Sequence, residues 1–274
     1  MKLAVNYSPQ AEALLADGQI EIDLYKCPDW PEMIGKAAAQ RPAYVHFPLM
    51  AGRNNIEKVG WEKIEALLNS TTTPFVNTHL APRASDFKMP LDTTSRAHSE
   101  ELFRAMVRDI QRLVRRFGEH AVILENANWD PSYEIPLAVL LPELICRVVN
   151  ETGCGLLLDL AHARMSAARL GVDEREYIER LPVRYLRELH VTGTQYDSVQ
   201  ARLVDHFPMT ASDWALTEWA LEEISADEWA RPQIVALEYG GIGPGFGWRS
   251  KSEVLALEVP RLRALVSDIR VNAV

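Results

Sequence analysis

Cysteine is scarce in this sequence. The three cysteines, Cys27, Cys146 and Cys154, are an odd number, and none of them forms a Cys-x-x-Cys pair. An odd number without that spacing argues against a disulfide framework and against a structural zinc site built from thiolates. Residue types other than cysteine are therefore expected to form the functional site.

Basic residues are also too few to dominate the charge. The chain has 29 Lys and Arg against 38 Asp and Glu, a net charge of −9, which argues against general affinity for nucleic acid. No apolar run reaches the length of a membrane span, and the opening segment MKLAVNYSPQ lacks the apolar core of a signal peptide. We expect a soluble cytoplasmic protein with neither nucleic acid nor membrane as a partner.

Linkers, low-complexity tracts and internal repeats are missing as well. The 274 residues are 47% hydrophobic and 24% charged, a balance that gives a sizeable core and argues against disorder. This length is normal for one α/β barrel. We predict a single domain over residues 1–274.

Short apolar segments alternate with helical patterns along the whole chain. Strands are predicted at 3–7, 20–26, 43–49, 75–80, 121–127, 155–161, 185–193 and 234–239. Helices are predicted at 8–18, 31–40, 55–69, 96–117, 136–152, in segments up to 181, at 211–225 and at 252–269. Eight apolar strands with intervening helices predict a parallel (β/α)8 TIM barrel, with a doubly wound open sheet as the alternative. The loops at 81–95 and 194–210 are long enough to cover a site.

Histidines and carboxylates gather where the predicted strands end. The strand-end set is His46, His79, Glu125, Asp159, His190 and Glu238. His162 follows Asp159 by three residues, and Asp205 and His206 lie in the loop after the seventh strand. Each residue alone has an ordinary structural role available, such as a helix cap at Asp159.

Together, these residues predict a metal site. A barrel presents its strand ends to one functional face, and buried ionisable groups without a partner cost several kcal/mol each, roughly. Imidazole and carboxylate suit iron, zinc or manganese. The strand-end set is large enough for two ions, and the other three residues could hold a third.

Several stretches resemble the multinuclear non-heme iron-dependent oxidative enzymes, a family that includes the oxidase of methanobactin biosynthesis. They are VNYSP, ILENANW, CGLLLDLAHARMSA, LGVDEREYIERLP and RELHVTG, and the resemblance covers roughly residues 3–240. It implies a xylose-isomerase-like barrel. It also implies two or three iron ions that use dioxygen to remodel residues, often cysteines, in small ribosomal peptides.

The resemblance also implies a ligand set. One iron would be bound by His46, His79 and Glu125, and Glu125 would bridge to a second iron held by Asp159, His190 and Glu238.

A third iron would use His162 and the Asp205–His206 region. Three features differ from the family pattern. Members commonly have Asn at the position of His162, an Asp-x-His instead of adjacent Asp205 and His206, and a Glu-Trp-Asp-like ending instead of EYGG at 238–241. The DLAH spacing resembles the apurinic endonuclease IV branch of the same superfamily.

The expected function is oxidative modification of a peptide or small substrate. Glu125, Asp159 and Glu238 are predicted to be catalytic. Tyr7, Asn128 and Arg164 are predicted to contact substrate, with a structural role equally open for each.

A peptide would be recognised either by a separate partner protein or by a groove edged by YGGIGPGFGW at 239–248. Three alternatives remain. One is a xylose-isomerase-like sugar isomerase or epimerase in which Glu125 and Glu238 move protons. The others are a metal-dependent phosphoester hydrolase of the endonuclease IV type and a non-catalytic barrel that binds metal or peptide.

Overall fold

The computed structural model describes residues 1–271, apart from the side chains at positions 244, 245, 248, 270 and 271. The strands are β1 (Lys2–Asn6), β2 (Leu24–Cys27), β3 (Ala43–Val45), β4 (Met50–Ala51), β5 (Val76–Leu80), β6 (Val122–Glu125), β7 (Gly155–Asp159), β8 (Leu186–Val191), β9 (Gly193–Asp197), β10 (Arg202–Phe207) and β11 (Ile234–Leu237). The helices are α1 (Pro9–Ala16), α2 (Pro31–Ala38), α3 (Ile56–Val59), α4 (Trp61–Ser70), α5 (Arg96–Phe117), α6 (Pro142–Thr152), α7 (Leu160–Leu170), α8 (Glu174–Glu179), α9 (Ala211–Ser225) and α10 (Ser252–Val271).

Tertiary contacts divide the chain into two compact units. Unit 1 comprises Met1–His46, Ser70–Thr73 and Arg187–Val274, and unit 2 comprises Phe47–Asn69 and Pro74–Leu186. The prediction of one domain over residues 1–274 stays a prediction.

Unit 1 contains a parallel sheet in the order β3-β2-β1-β11-β8. Alternate residues of a strand share one face, so the register aligns Ala4, Leu24, Tyr44, Ile234 and Ala236 into one buried cluster. The helices α1 and α2 each begin with a proline in the first turn, where its missing N–H is not needed. Unit 1 also carries an antiparallel hairpin of β9 and β10.

Unit 2 contains a stretch of parallel sheet in the order β7-β6-β5-β4. Phe75, Ile123 and Leu157 form a buried cluster on it. The long helix α5 is capped by the Ser95 side chain, which accepts a hydrogen bond from the His98 backbone, and the chain leaves the helix at Gly118 with a φ of 86°.

The eight predicted strands are all present, but several end earlier than predicted. The third was predicted to run to residue 49 and ends at Val45, because the Asn77 side chain bonds both the N–H and the C=O of Phe47 and replaces a ladder partner. The sixth was predicted to run to residue 161 and ends at Asp159, because that residue caps α7.

Two further predictions need correction. The helix predicted at 55–69 is divided at Gly60, whose φ of 95° interrupts the helical backbone between α3 and α4. The loop predicted at 194–210 is largely the β9–β10 hairpin. Its β10 strand is half-buried throughout, so it lacks the apolar pattern of the barrel strands. Within residues 1–271, no helix has the length and apolar character needed to cross a membrane.

Candidate metal centre

Three neighbouring strands of unit 2 each end in a side chain that can bind metal. His79 lies near the end of β5, Glu125 ends β6 and Asp159 ends β7, with His79 and Glu125 paired in register. The carboxyl ends of parallel strands meet at one edge of a sheet, and the apolar bodies of these strands hold that edge in place. The sequence thus brings ionisable groups together on rigid supports.

Glu125 makes the central contacts of this cluster. Its side chain is buried, with one oxygen 3.0 Å from His79 Nε2 and the other 3.3 Å from His162 Nδ1. A buried carboxylate needs compensation by nearby charge or hydrogen bonds. Each oxygen of the Glu125 carboxylate lies beside a different imidazole ring, so this side chain links the two histidines.

Asp159 caps a helix and also contacts the His162 ring. Its Oδ1 accepts a hydrogen bond of 2.8 Å from the backbone N–H of His162, which makes it the N-cap of α7. Its Oδ2 lies 3.8 Å from His162 Nε2. The Asn126 side chain accepts from the Asp159 N–H at 2.8 Å and donates to the Asp159 carbonyl at 3.0 Å. This two-way bond ties the end of β6 to the end of β7.

The two histidines of this cluster have their Nδ1 atoms directed to backbone carbonyls. His79 Nδ1 donates to the Leu49 carbonyl at 3.1 Å, and His162 Nδ1 donates to the Asn126 carbonyl at 3.1 Å. A carbonyl can only accept, so a ring that bound metal through Nε2 would carry its proton on Nδ1. Metal-binding histidines in proteins are commonly oriented by this kind of bond.

The donor set fits a transition-metal ion. One ligand atom from each of Glu125, Asp159 and His162 lies within 4.8 Å of the others, and all three residues are buried. Two carboxylates and an imidazole suit iron, zinc or manganese. His79 extends the set through its contact with Glu125.

A second buried polar network lies in unit 1. Tyr44 donates a hydrogen bond of 2.8 Å to Glu188 Oε1, and the same oxygen lies 2.8 Å from His190 Nε2. All three residues are at most 2% exposed. Glu188 and His190 alternate along β8, so they share one face of the sheet.

Glu238 extends this network at the end of β11. Its Oε1 lies 3.2 Å from His190 Nδ1 and makes a buried ion pair with the Lys26 ammonium. Its backbone carbonyl accepts from the Thr192 hydroxyl at 3.1 Å and from His206 Nδ1 at 2.9 Å. Both the main chain and the side chain of Glu238 are thus fixed.

The remaining predicted ligands of unit 1 lie around these residues. The His46 ring centroid is 5.4 Å from that of His190, and His46 follows the end of β3. Asp205 and His206 lie in β10 at a register irregularity, where His206 has a φ of 63°. Such a bulge turns a side chain away from the regular alternation. The ligand roles of the predicted residues in both units stay predictions.

The residues predicted to contact substrate are held by the protein itself. The buried Tyr7 hydroxyl donates to Glu12 at 2.5 Å, and the buried Arg164 guanidinium binds both oxygens of Glu174. Asn128 is half-buried in the segment after β6. Their contact with a substrate stays a prediction.

The residues of the networks that were not predicted from the sequence include Lys26, Tyr44, Asn126 and Glu188. A signal was present for two of them. Glu188 precedes His190 by two residues and therefore shares its face, and Lys26 lies within the apolar strand LYKC, where a charged side chain requires a partner. Tyr44 and Asn126 had no comparable signal.

Two buried groups outside these two clusters have strongly shifted pKa values. Burial raises the pKa of the Glu258 carboxyl to about 7, and its Oε1 accepts a hydrogen bond from the Met209 backbone at 2.6 Å. Burial likewise raises the pKa of the Cys27 thiol to about 12, so that thiol stays protonated near neutral pH.

A sequence model of the family described as RiPP precursor modification enzyme MbnB/TglH/ChrH matches residues 30–230. The chain belongs to this family. The match includes the whole unit 2 cluster, together with His46, His190 and His206, and leaves Lys26 and Glu238 outside. Family membership and the clustered histidines and carboxylates support a metal-dependent enzyme.

Curated relatives agree with this membership. A UPF0276 protein of Bordetella pertussis is 29% identical over 151 residues, which are 53% of this chain and 52% of that protein. The chain thus spans about half the length of the first curated relatives it matches.

Solved structures establish the fold class. A xylose isomerase-like TIM barrel protein from Mycobacterium smegmatis, in complex with magnesium, has a TM-score of 0.54 at 12% identity, covering 98% of this chain and 97% of that one. A sugar phosphate isomerase/epimerase from Parabacteroides distasonis has a TM-score of 0.54 at 9% identity, covering 96% and 98%. The fold is that of the xylose-isomerase-like TIM barrels, as the sequence analysis predicted.

Proposed function

We propose that this chain is an iron- and dioxygen-dependent oxidoreductase that modifies a peptide. The observation that carries the proposal is the convergence of Glu125, Asp159 and His162 ligand atoms within 4.8 Å, in a chain of a RiPP precursor modification family. Iron, when bound, would supply the one-electron chemistry that couples substrate oxidation to the reduction of dioxygen. In this reaction dioxygen accepts the electrons that the peptide loses.

The protein's own residues fix the geometry around such an ion. His79 and His162 donate from Nδ1 to backbone carbonyls, which leaves each Nε2 available as a ligand. Asn126 holds the Asp159 backbone and the N-cap bond holds its Oδ1, so the carboxylate that would bind the ion is kept from rotating freely. Such support limits the reorganisation that the reaction requires.

A peptide substrate would reach this edge of the fold from the loops that follow the strands. Glu125 is the proposed central ligand and Asp159 the second carboxylate ligand. The proposed substrate is a short cysteine-bearing peptide, bound directly or through a separate recognition protein. Metal identity and peptide identity both belong to the proposal, because imidazole and carboxylate also accept zinc and manganese.

The test is anaerobic loading with ferrous iron, followed by oxygen and a synthetic cysteine-bearing peptide. We expect iron-dependent oxygen uptake and a change in peptide mass. Samples loaded with zinc or manganese are the controls and should be inactive. Isomerase or phosphoesterase activity with those metals, without any need for oxygen, would overturn the proposal.

A further inference from the structure

The buried ion pair between Lys26 and Glu238 is the least expected feature of unit 1. Lys26 lies in β2 and Glu238 directly follows β11, and the two residues are 5% and 6% exposed. Lysine is rarely buried unless it is paired. The Lys26 ammonium therefore neutralises the Glu238 carboxylate within the network.

The ammonium contacts the same oxygen that a metal ion would need. Glu238 Oε1 faces both the Lys26 Nζ and His190 Nδ1, the latter at 3.2 Å. A divalent ion held by His190 and that oxygen would lie next to the ammonium. In low-dielectric surroundings two neighbouring cations repel each other strongly.

The surrounding bonds keep this arrangement in place. The Thr192 hydroxyl and His206 Nδ1 both donate to the Glu238 carbonyl, and Glu188 contacts the other side of the His190 ring. Lys26 is fixed through β2, whose register pairs it with Asn6 on one side and Tyr44 on the other. These bonds hold the main chain of Glu238, and the contacts of its Oε1 with Lys26 and His190 orient the carboxylate.

We propose that the Lys26 ammonium takes the place of a metal ion at Glu238 and thereby lowers the number of ions that the chain binds. His190 and Glu238 then form a lysine-neutralised network, and resident metal is confined to ligands that Lys26 does not block. The inference rests on the proposed metal-dependent function, because it concerns how many ions that function uses.

The experiment measures zinc per folded chain after loading and removal of excess metal, with zinc chosen because it is redox-inert. We expect Lys26→Met to bind about one more ion per chain than the natural sequence, and Lys26→Arg and the exposed Lys58→Met to bind the same number as the natural sequence. Zinc should also raise the melting temperature of Lys26→Met more than that of the natural chain, because the new ion replaces the lost ammonium. Unchanged or reduced zinc content in Lys26→Met would overturn the proposal.

A second variant covers the case in which Lys26→Met does not fold. In the natural background, Glu238→Gln should keep its zinc content, because that carboxylate is held by lysine. A loss of zinc in Glu238→Gln would overturn the proposal. Failure of the proposed function would have a different signature, namely unchanged zinc in Glu125→Gln.

Discussion

The two units each bury a histidine among carboxylates, and the two clusters differ in what lies against the carboxylates. In unit 2, Glu125 contacts two imidazoles. One ligand atom from each of Glu125, Asp159 and His162 lies within 4.8 Å of the others. In unit 1, Glu238 contacts the Lys26 ammonium as well as His190. The carboxylate of the first arrangement faces imidazoles. The carboxylate of the second arrangement faces a cation, the Lys26 ammonium group.

This difference teaches that a count of histidines and carboxylates at strand ends does not give a count of metal ions. A carboxylate can be compensated by a metal, by an ammonium group or by a proton. Glu258 illustrates the third route, because burial raises its pKa to about 7. Each route responds differently to substitution, and this allows the three to be separated.

The largest expected effect is loss of metal from unit 2 on Glu125→Gln. The amide keeps the size of the side chain and removes the charge that is proposed to bind the cation, so we expect metal affinity to fall at least about 100-fold. Elemental analysis of the purified chain measures this. The matched control is Glu62→Gln in the exposed face of α4, which should keep its metal. Equal metal content in the two variants would contradict the assignment of the cluster.

The next largest effect concerns the pH dependence of stability that the buried Glu258 carboxyl causes. The folded-state pKa of Glu258 is about 7 against an ordinary value of 4.5, so its stabilising contribution is complete below about pH 4.5 and is lost as the pH rises through 7. Glu258→Gln stays neutral at every pH. Its free energy of unfolding, relative to the natural chain, should therefore rise between pH 5 and pH 8, by on the order of 3 kcal/mol.

Denaturant unfolding at several pH values tests this expectation. The control is Glu222→Gln on the exposed face of α9, whose stability relative to the natural chain should not depend on pH in this range. A flat difference for Glu258→Gln would mean that Glu258 is ionised in the folded protein.

The smallest expected effect concerns Tyr44 in the unit 1 network, and it tests whether that network is stabilised without a metal ion. Tyr44→Phe removes the 2.8 Å hydrogen bond to the buried Glu188, and we expect it to lower the free energy of unfolding by about 1.5–3 kcal/mol. Metal content should be unchanged, because the network is stabilised by protein contacts. The control is Tyr196→Phe on the exposed hairpin, which should change neither quantity. Metal loss in Tyr44→Phe would show that the unit 1 network also holds an ion.

The regular parts of the fold were predictable from local signals. The helix at 96–117 has the predicted bounds because Ser95 and Gly118 mark its ends, and the helix at 211–225 begins at the Thr210–Asp213 capping box. The β9–β10 hairpin was not predicted, since its half-buried residues lack a continuous apolar pattern.

The sequence indicated the residues of the candidate site better than the contacts that support them. The strand-end pattern predicted Glu125, Asp159 and His162 as ligands; the structure brings their ligand atoms within 4.8 Å of one another, and their role as ligands stays a prediction. The roles of Asn126 and Lys26 depend on contacts between residues far apart in the chain, 33 positions apart for Asn126 and Asp159. No local pattern carries that information.

The most direct test of the central claim is anomalous X-ray scattering at the iron edge from crystals of the anaerobically iron-loaded protein. The account predicts a peak within bonding distance of Glu125, Asp159 and His162, with no peak between His190 and Glu238 unless Lys26 is replaced. The absence of a peak at the unit 2 cluster in fully iron-loaded crystals would contradict it.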